Sequence, residues 1–235
     1  MAESAKDSCY YCKARYKSIF SELGLEETVA VEISKSCMMY KKGQLIFEEG
    51  AYPHGLYCIN NGKIKVSQTG ADGREQIIHL CKDGDVMGYR AILSGDKYSC
   101  SATAIEDSAI CFIPTRVFTN LVEKNTTLAS RIMRLFANDL KTAEKTITDI
   151  AHKSVKERLA QSILLLKESY GYEKDGQTIN IAITREELAS IVGTVRETVT
   201  RLLSELDKEK SIELTGKRIK ILNAQKLINT ANVAY

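Results

Sequence analysis

Four side chains within six residues, Arg196, Glu197, Thr200 and Arg201, have the types and spacing needed to read the edges of DNA bases. Arg pairs bidentately with guanine O6 and N7, Glu accepts from cytosine N4, and Thr bonds a base or touches a thymine methyl. Each good pair is worth roughly 1–3 kcal/mol of discrimination. The spacing puts them on one side of a helix, because Val199, Leu202, Leu203 and Leu206 recur at i, i+3, i+4 and i+7 on the other. Two structural roles compete. Glu197 and Arg201 form a favourable i, i+4 charge pair on a solvated face, and Thr194-x-x-Glu197 spells a capping box that would occupy the glutamate.

Those residues need elements that hold them out. Upstream, Thr184 with Glu187 three residues on is another capping box, opening a helix that buries Leu188, Ala189 and Val192. Gly193 then permits a sharp turn, so the segment reads as helix, turn, helix. Downstream, Ser211 to Leu222 alternates Ile212/Leu214 and Ile219/Ile221 around Thr215-Gly216 and carries Lys217, Arg218 and Lys220. This is the pattern of a basic hairpin. Beside a reading helix it would contact phosphates, which fix register without carrying sequence information. An edge hairpin protected by lysines is the plainer alternative.

The chain has 235 residues, 44% of them hydrophobic, enough for two small domains. Its net charge is only +3, so any DNA affinity must come from clustered charge and should fall steeply with salt. Between Val155 and Lys226 the balance is 13 Lys and Arg against 11 Asp and Glu. The N-terminus lacks an apolar core ahead of a cleavage site, and no apolar run approaches the ~20 residues that cross a bilayer. A cytoplasmic protein with no membrane partner is expected. Seven cysteines in a reducing compartment then read as buried thiols or ligands rather than a disulfide framework. An enzyme is not expected: there is no P-loop, H-E-x-x-H or G-x-S-x-G, and His54, His79 and His152 are scattered.

From about Met39 to Pro114, glycines punctuate short strand-like runs, as in an all-β barrel or roll. Asn61-Gly62 is the strongest hairpin signal, of type I′, and Asp72-Gly73 marks another turn. Ala109, Cys111 and Ile113 share one strand face, Ile110 and Phe112 the other. From Thr127 a helical period takes over, with Leu128, Ile132, Leu135, Leu140, Ile147 and Ile150 on or near one stripe. A stripe on so long a helix suits pairing with a second copy, although it could lie on its own roll. Ala151 to Ser154 reads as a hinge. The expected fold is α+β. Residues 1–18 form a cysteine-containing extension, 19–122 a β-roll sensor, 123–150 a dimerisation helix and 151–235 a winged helix-turn-helix.

This order resembles the Crp/Fnr family of bacterial transcription regulators from about Lys42 to Leu222. The run KKGQLIFEEG…PHGLYCINNGKIKV…ADGREQIIHL…GDVMGY is similar to the family's sensor roll, and Arg196-Glu197-Thr198-Val199-Thr200-Arg201 matches R-E-T-V-[ST]-R in its recognition helix. Where the family places Ser or Thr before that Arg, Val195 stands here and Thr194 is one step earlier. The resemblance implies a homodimer on near-palindromic double-stranded DNA, with Arg196, Glu197 and Arg201 on bases and Thr200 alongside. Thr184, Thr198, Lys217 and Arg218 complete the DNA-facing set, and RNA polymerase is recruited or obstructed. A cyclic-nucleotide-type sensory module acting through protein partners is the alternative.

Family members that bind cyclic AMP carry Gly-Glu for the ribose and a downstream Arg-Ser for the phosphate. Here the stretch is Gly88-Tyr89-Arg90…Tyr98-Ser99-Cys100-Ser101, without the acid or the phosphate-binding Arg. An enclosed phosphate would lack its main charge partner. The expectation is an effector pocket of Gly88, Tyr89, Arg90, Tyr98 and Ser99 that does not take cyclic AMP in the family's manner. Arg90 approaching from the other side is the one substitute. The oxygen-sensing branch holds a [4Fe–4S] cluster with C-x2-C-x5-C and a fourth cysteine on a late roll strand. Cys9, Cys12 and Cys111 match three positions, and Ser18 stands at the other. Thiolates normally supply all four ligands. A cluster, a zinc or redox thiol pair, and ordinary reduced cysteines stay open, with Cys37 a replacement only if the chain folds back.

Overall fold

The computed structural model describes residues 8–233, so Met1 to Asp7 of the expected extension lie outside the described residues. The chain divides into two compact units, residues 1–70 with 78–140, and residues 71–77 with 141–235.

The first unit begins with two helices the sequence did not announce, α1 (Lys13–Lys17) and α2 (Leu25–Ser34). The strands follow: β1 (Ser36–Tyr40), β2 (Leu45–Phe47), β3 (Gly55–Asn61), β4 (Ile64–Thr69), β5 (Glu75–Cys81), β6 (Val86–Met87), β7 (Ser101–Ala104) and β8 (Ser108–Pro114), with the short helix α3 (Tyr89–Ser94) between β6 and β7. They form two four-stranded sheets, in the orders β1-β8-β3-β6 and β2-β7-β4-β5. Short apolar runs suit this arrangement because alternate side chains serve opposite faces. On β8, Ile110 packs with Ile59, Ile64, Val66 and Ala102, whereas Ile113 packs with Leu56, Phe118 and Leu128. The two faces expected for this strand are therefore present, each buried in a different cluster.

Asn61-Gly62 is not a hairpin. β3 and β4 belong to different sheets, and Asn61 is not among the positive-φ residues that a type I′ turn requires. Gly62 (φ 128°) is needed for space: a Cβ there would lie 2.1 Å from Ser108 Oγ, where the chain crosses between sheets. Asp72-Gly73 does turn the chain between β4 and β5, which are neighbours in one sheet.

After α4 (Thr115–Lys124), the long helix α5 spans Thr126–His152, starting three residues later than the expected 123 and running two residues past 150, so that Ala151 and His152 of the expected hinge are helical. Its apolar stripe is two stripes. Leu128 and Ile132 are buried and Leu135 packs against the same cluster, so these three lie on the chain's own roll. Met133, Phe136, Leu140, Ile147 and Ile150 are exposed, and with the exposed Ala143 they repeat at alternating steps of three and four. That is an a/d heptad seam.

In the second unit Ser154 ends the expected hinge by capping α6 (Val155–Tyr170), its hydroxyl accepting from Glu157 N while Glu157 accepts from Ser154 N. The helices α7 (Arg185–Val192) and α8 (Arg196–Lys208), the two-stranded ladder β9 (Ile212–Thr215) with β10 (Arg218–Ile221), and α9 (Ala224–Ala231) complete it. Leu159, Ile163, Leu188, Val199, Leu203, Leu206, Ile212, Ile219 and Leu227 are at most 1% exposed and make its core. Ile179, Ile181 and Ile183, in the connection before α7, join them.

Candidate nucleic-acid interface and sensor cavity

The start of α7 is the capping box read from the sequence: Thr184 Oγ1 accepts from Glu187 N at 3.1 Å, and Glu187 Oε2 accepts from Thr184 N at 2.8 Å. Thr184 is thus committed to the helix start and is only partly exposed. Gly193 ends the helix in the left-handed region, φ 72° and ψ 54°, as the turn demands. Sequence reasoning missed the clamp on that end. Arg158 of α6 donates from Nε to Val192 O at 3.0 Å and from its terminal nitrogens to Lys153 O and Gly193 O. A cation among the last carbonyls of a helix satisfies acceptors and opposes the helix dipole.

α8 buries Val199, Leu202, Leu203 and Leu206 and leaves Arg196, Glu197, Thr200 and Arg201 exposed, with Thr198 half-buried. Neither structural role foreseen for Glu197 is present. The helix is capped by Val195 without a side-chain bond, and Arg201 pairs with Glu205 at 2.6 Å rather than with Glu197. Arg196 faces Glu186 of α7 at 3.7 Å. Both guanidinium groups stay open to solvent, with side chains 63% and 64% exposed. Thr200 Oγ1 donates to Arg196 O within the helix, which leaves its lone pairs facing outward.

The hairpin turns at Gly216-Lys217, one residue later than expected, with Arg218 opposite Thr215. Ile183 N donates to Lys217 O, and Arg185 donates to Gly216 O at 2.9 Å, so the tip is fastened beside the start of α7. Arg218 is bound to Glu173 and Lys220 faces Glu213. Lys217 is exposed and has no acidic partner among the described residues.

All five residues expected for the effector pocket line one cavity of about 330 Å³ in the first unit. Gly88 (φ 87°) precedes α3, which turns Tyr89 and Arg90 toward α5. Tyr89 OH donates to Asp139, and the Arg90 guanidinium lies 3.2 Å from Asp139 and 2.5 Å from His79 Nε2. A guanidinium only donates, so His79 accepts here, and burial together with Arg90 holds its pKa below the usual value. Tyr98 stacks on Phe47 at 4.2 Å, and its buried hydroxyl has no hydrogen-bond partner among the described residues. Asp85 also lines the cavity, its pKa raised by burial. Arg90 is therefore already engaged, and a phosphate entering this space would compete with Asp139 for it.

Cys9, Cys12, Ser18 and Cys111 line a second, smaller cavity of about 50 Å³, joined by Cys58. They do not form a metal site: no cluster of three His, Cys, Asp or Glu able to hold an ion occurs among the described residues. Ser18 Oγ donates to Arg15 O and accepts from Phe20 N, which fixes a turn. Cys111 is disulfide-bonded to Cys37, so the expectation of reduced cysteines fails for this pair. Burial and Glu32 push the Cys9 thiol up to about 11, and burial pushes Cys58 higher still. A [4Fe–4S] cluster needs four converging thiolates, and the residues as arranged do not fit one.

No helix among the described residues is long and apolar enough to cross a membrane. The family pattern described as a cyclic nucleotide-binding domain matches residues 37–125, and that of a Crp-like helix-turn-helix domain matches residues 157–230. The chain is 32% identical over 195 residues to the fumarate and nitrate reduction regulatory protein of Vibrio cholerae, covering 83% of this chain and 78% of that one. It is 25% identical to the CRP-like cAMP-activated global transcriptional regulator of Mycobacterium tuberculosis, covering 88% and 94% of the two chains. A solved CRP/FNR family transcriptional regulator of Thermus thermophilus superposes with a TM-score of 0.70 at 25% identity, over 84% of this chain and 99% of that one.

Proposed function

The chain belongs to the Crp/Fnr family of transcription regulators, and from that premise we propose that it works as a homodimer on a near-palindromic DNA site. One observation carries the proposal: α8 buries its apolar side and holds Arg196, Glu197, Thr200 and Arg201 in solvent. Arg196, Glu197 and Arg201 contact base edges and Thr200 lies alongside, while Lys217, with Arg218, meets phosphates. Thr184 and Thr198 border that face, Thr184 through its helix-capping role. The exposed heptad seam of α5 supports the second copy, which places two reading helices about one helical turn of DNA apart.

The roll cavity senses a ligand other than cyclic AMP bound in the family's usual way. Support comes from the missing acid and arginine and from the engagement of Arg90 by Asp139 and His79. A ligand shifts a regulator only through unequal binding to its two states. Asp139 sits on α5 and is held by Tyr89 and Arg90, so an occupant that draws either away changes how the helix is held. The DNA-bound dimer then recruits or obstructs RNA polymerase. Relatives named as regulators, not enzymes, agree with the absence of catalytic motifs.

Footprinting of the full chain tests the DNA reading. A protected palindrome that is lost in Arg196→Ala is expected. A sensory module acting through protein partners alone would protect nothing.

A further inference from the structure

The two-strand register around Cys111 places three sulfurs in a row. Cys37 of β1 lies directly opposite Cys111 of β8, and Cys111 lies directly opposite Cys58 of β3. Residues directly opposite on neighbouring strands project from the same face. Cys9 and Cys12 cover that face, since they line the same small cavity as Cys58 and Cys111. Of the five, only Cys37 and Cys111 are bonded. We propose that Cys37–Cys111 is a reversible thiol–disulfide exchange site, reduced by dithiols. It rests on the cysteine geometry alone and not on the DNA reading.

The thiolate is the attacking species in exchange, and access decides which sulfur is attacked. Cys37 lies on the sheet-edge strand β1 and is exposed, while Cys111 faces the cavity. Attack from outside therefore falls on Cys37. A thiolate of the dithiol bonds to Cys37 Sγ, the Cys37–Cys111 bond breaks, and Cys111 leaves as a thiolate that takes up a proton. The reagent's second thiolate then attacks its own sulfur in the mixed disulfide, and Cys37 leaves and is protonated. Two electrons and two protons pass to the protein, and the reagent departs as a cyclic disulfide.

The neighbours explain why the bond stays where it is. Cys58 stands across from Cys111, but burial keeps its thiol protonated, and the Cys9 thiol is held likewise. Cys12 donates to Asn60 Oδ1 at 3.3 Å. With Cys58 and Cys9 both held as thiols, exchange at this bond falls to an outside reagent. Reduction returns the Cys111 thiol to the cavity and removes the covalent tie between β1 and β8, leaving their antiparallel ladder to hold them.

The test is alkylation and peptide mapping of the full chain, purified in air, acid-quenched and denatured without reductant. Five alkylated cysteines and one linked Cys37–Cys111 peptide are expected, rising to seven after treatment of the native protein with dithiothreitol. Cys37→Ser, at an exposed edge position, should leave all six remaining thiols free, and Cys58→Ala should keep the link. Seven free thiols before reduction, a bond between other cysteines, or bound iron and acid-labile sulfide that leave Cys111 unlinked would each overturn the proposal.

Discussion

Leu140 sits in the middle of the exposed heptad seam of α5, 62% exposed in the single chain. The seam residues one heptad to either side, Met133 and Ile147, are 63% and 67% exposed. Burying a whole Leu side chain contributes about 1.5–3 kcal/mol, so covering the exposed share against a second copy contributes roughly 1–2 kcal/mol. A symmetric seam contains the residue twice, so Leu140→Ala removes roughly 2–4 kcal/mol from the dimer. At 1.4 kcal/mol per tenfold, the dimer Kd should rise roughly 30- to 700-fold. Within one chain little should change, because surface substitutions usually move stability by no more than about 0.5 kcal/mol. Sedimentation equilibrium gives the Kd, and thermal melting followed by circular dichroism at monomer concentrations gives the stability. An unchanged Kd would refute the seam. A matching fall in monomer stability would show that Leu140 packs on its own chain instead.

Arg201→Ala should lower affinity for the preferred site by roughly 5- to 150-fold per half-site, the equivalent of 1–3 kcal/mol for each bidentate base contact, and change binding to random DNA little in a competition titration. Equal losses on both would mean a phosphate contact only. Lys217→Ala should weaken both and reduce the slope of log K against log salt by about one per half-site. Asp175 accepts from Gln177 N, Thr178 N and Thr178 Oγ1, and these bonds hold its carboxyl at about 2, below the usual 3.8. A depressed carboxyl stabilises above its unfolded value and stops doing so as pH falls through the folded one. Asp175→Asn should therefore flatten the fall in melting temperature between pH about 4 and about 2, and an unchanged acid limb would count against it.

Much of the second unit was legible because its signals are local. Thr184 and Glu187 are three residues apart, Gly193 marks one turn, and the period of Val199, Leu202, Leu203 and Leu206 is complete within two turns. The first unit was read less well where contacts are distant. Asn61-Gly62 carries hairpin chemistry, but sheet order decides that the following strand joins another sheet. Leu135 and Leu140 look alike on a helical wheel at the tolerance of a sequence stripe, yet one packs on the roll and the other does not. Cys37 and Cys111 are separated by 74 positions, and only the β1–β8 register brings them together. Arg158 gave no signal, because its carbonyl acceptors come from two places, Lys153 just before α6 and the Val192-Gly193 end of α7, that only packing brings together.

The two arginines proposed to read bases are exposed but not idle, and the balance of their partners bears on how they would meet DNA. Arg201 is paired with Glu205, and Arg196 faces Glu186. Exposed pairs of this kind contribute about 0–1 kcal/mol, less than the roughly 1–3 kcal/mol of a bidentate guanine contact. Exchange of carboxylate for base is therefore favourable at a matched sequence and near neutral at a mismatched one. In the proposed complex the acids would also place negative charge beside the groove, which opposes loose attachment to phosphates and suits the small positive excess of the domain. Glu197 completes the pattern. With Val195 as the cap and Arg201 turned to Glu205, its carboxylate has no partner among the described residues. On unmatched DNA it would sit unpaired against the groove, and a cytosine amino group relieves that cost. On this proposal, selectivity on this face would come as much from what Glu197 lacks as from what the arginines reach.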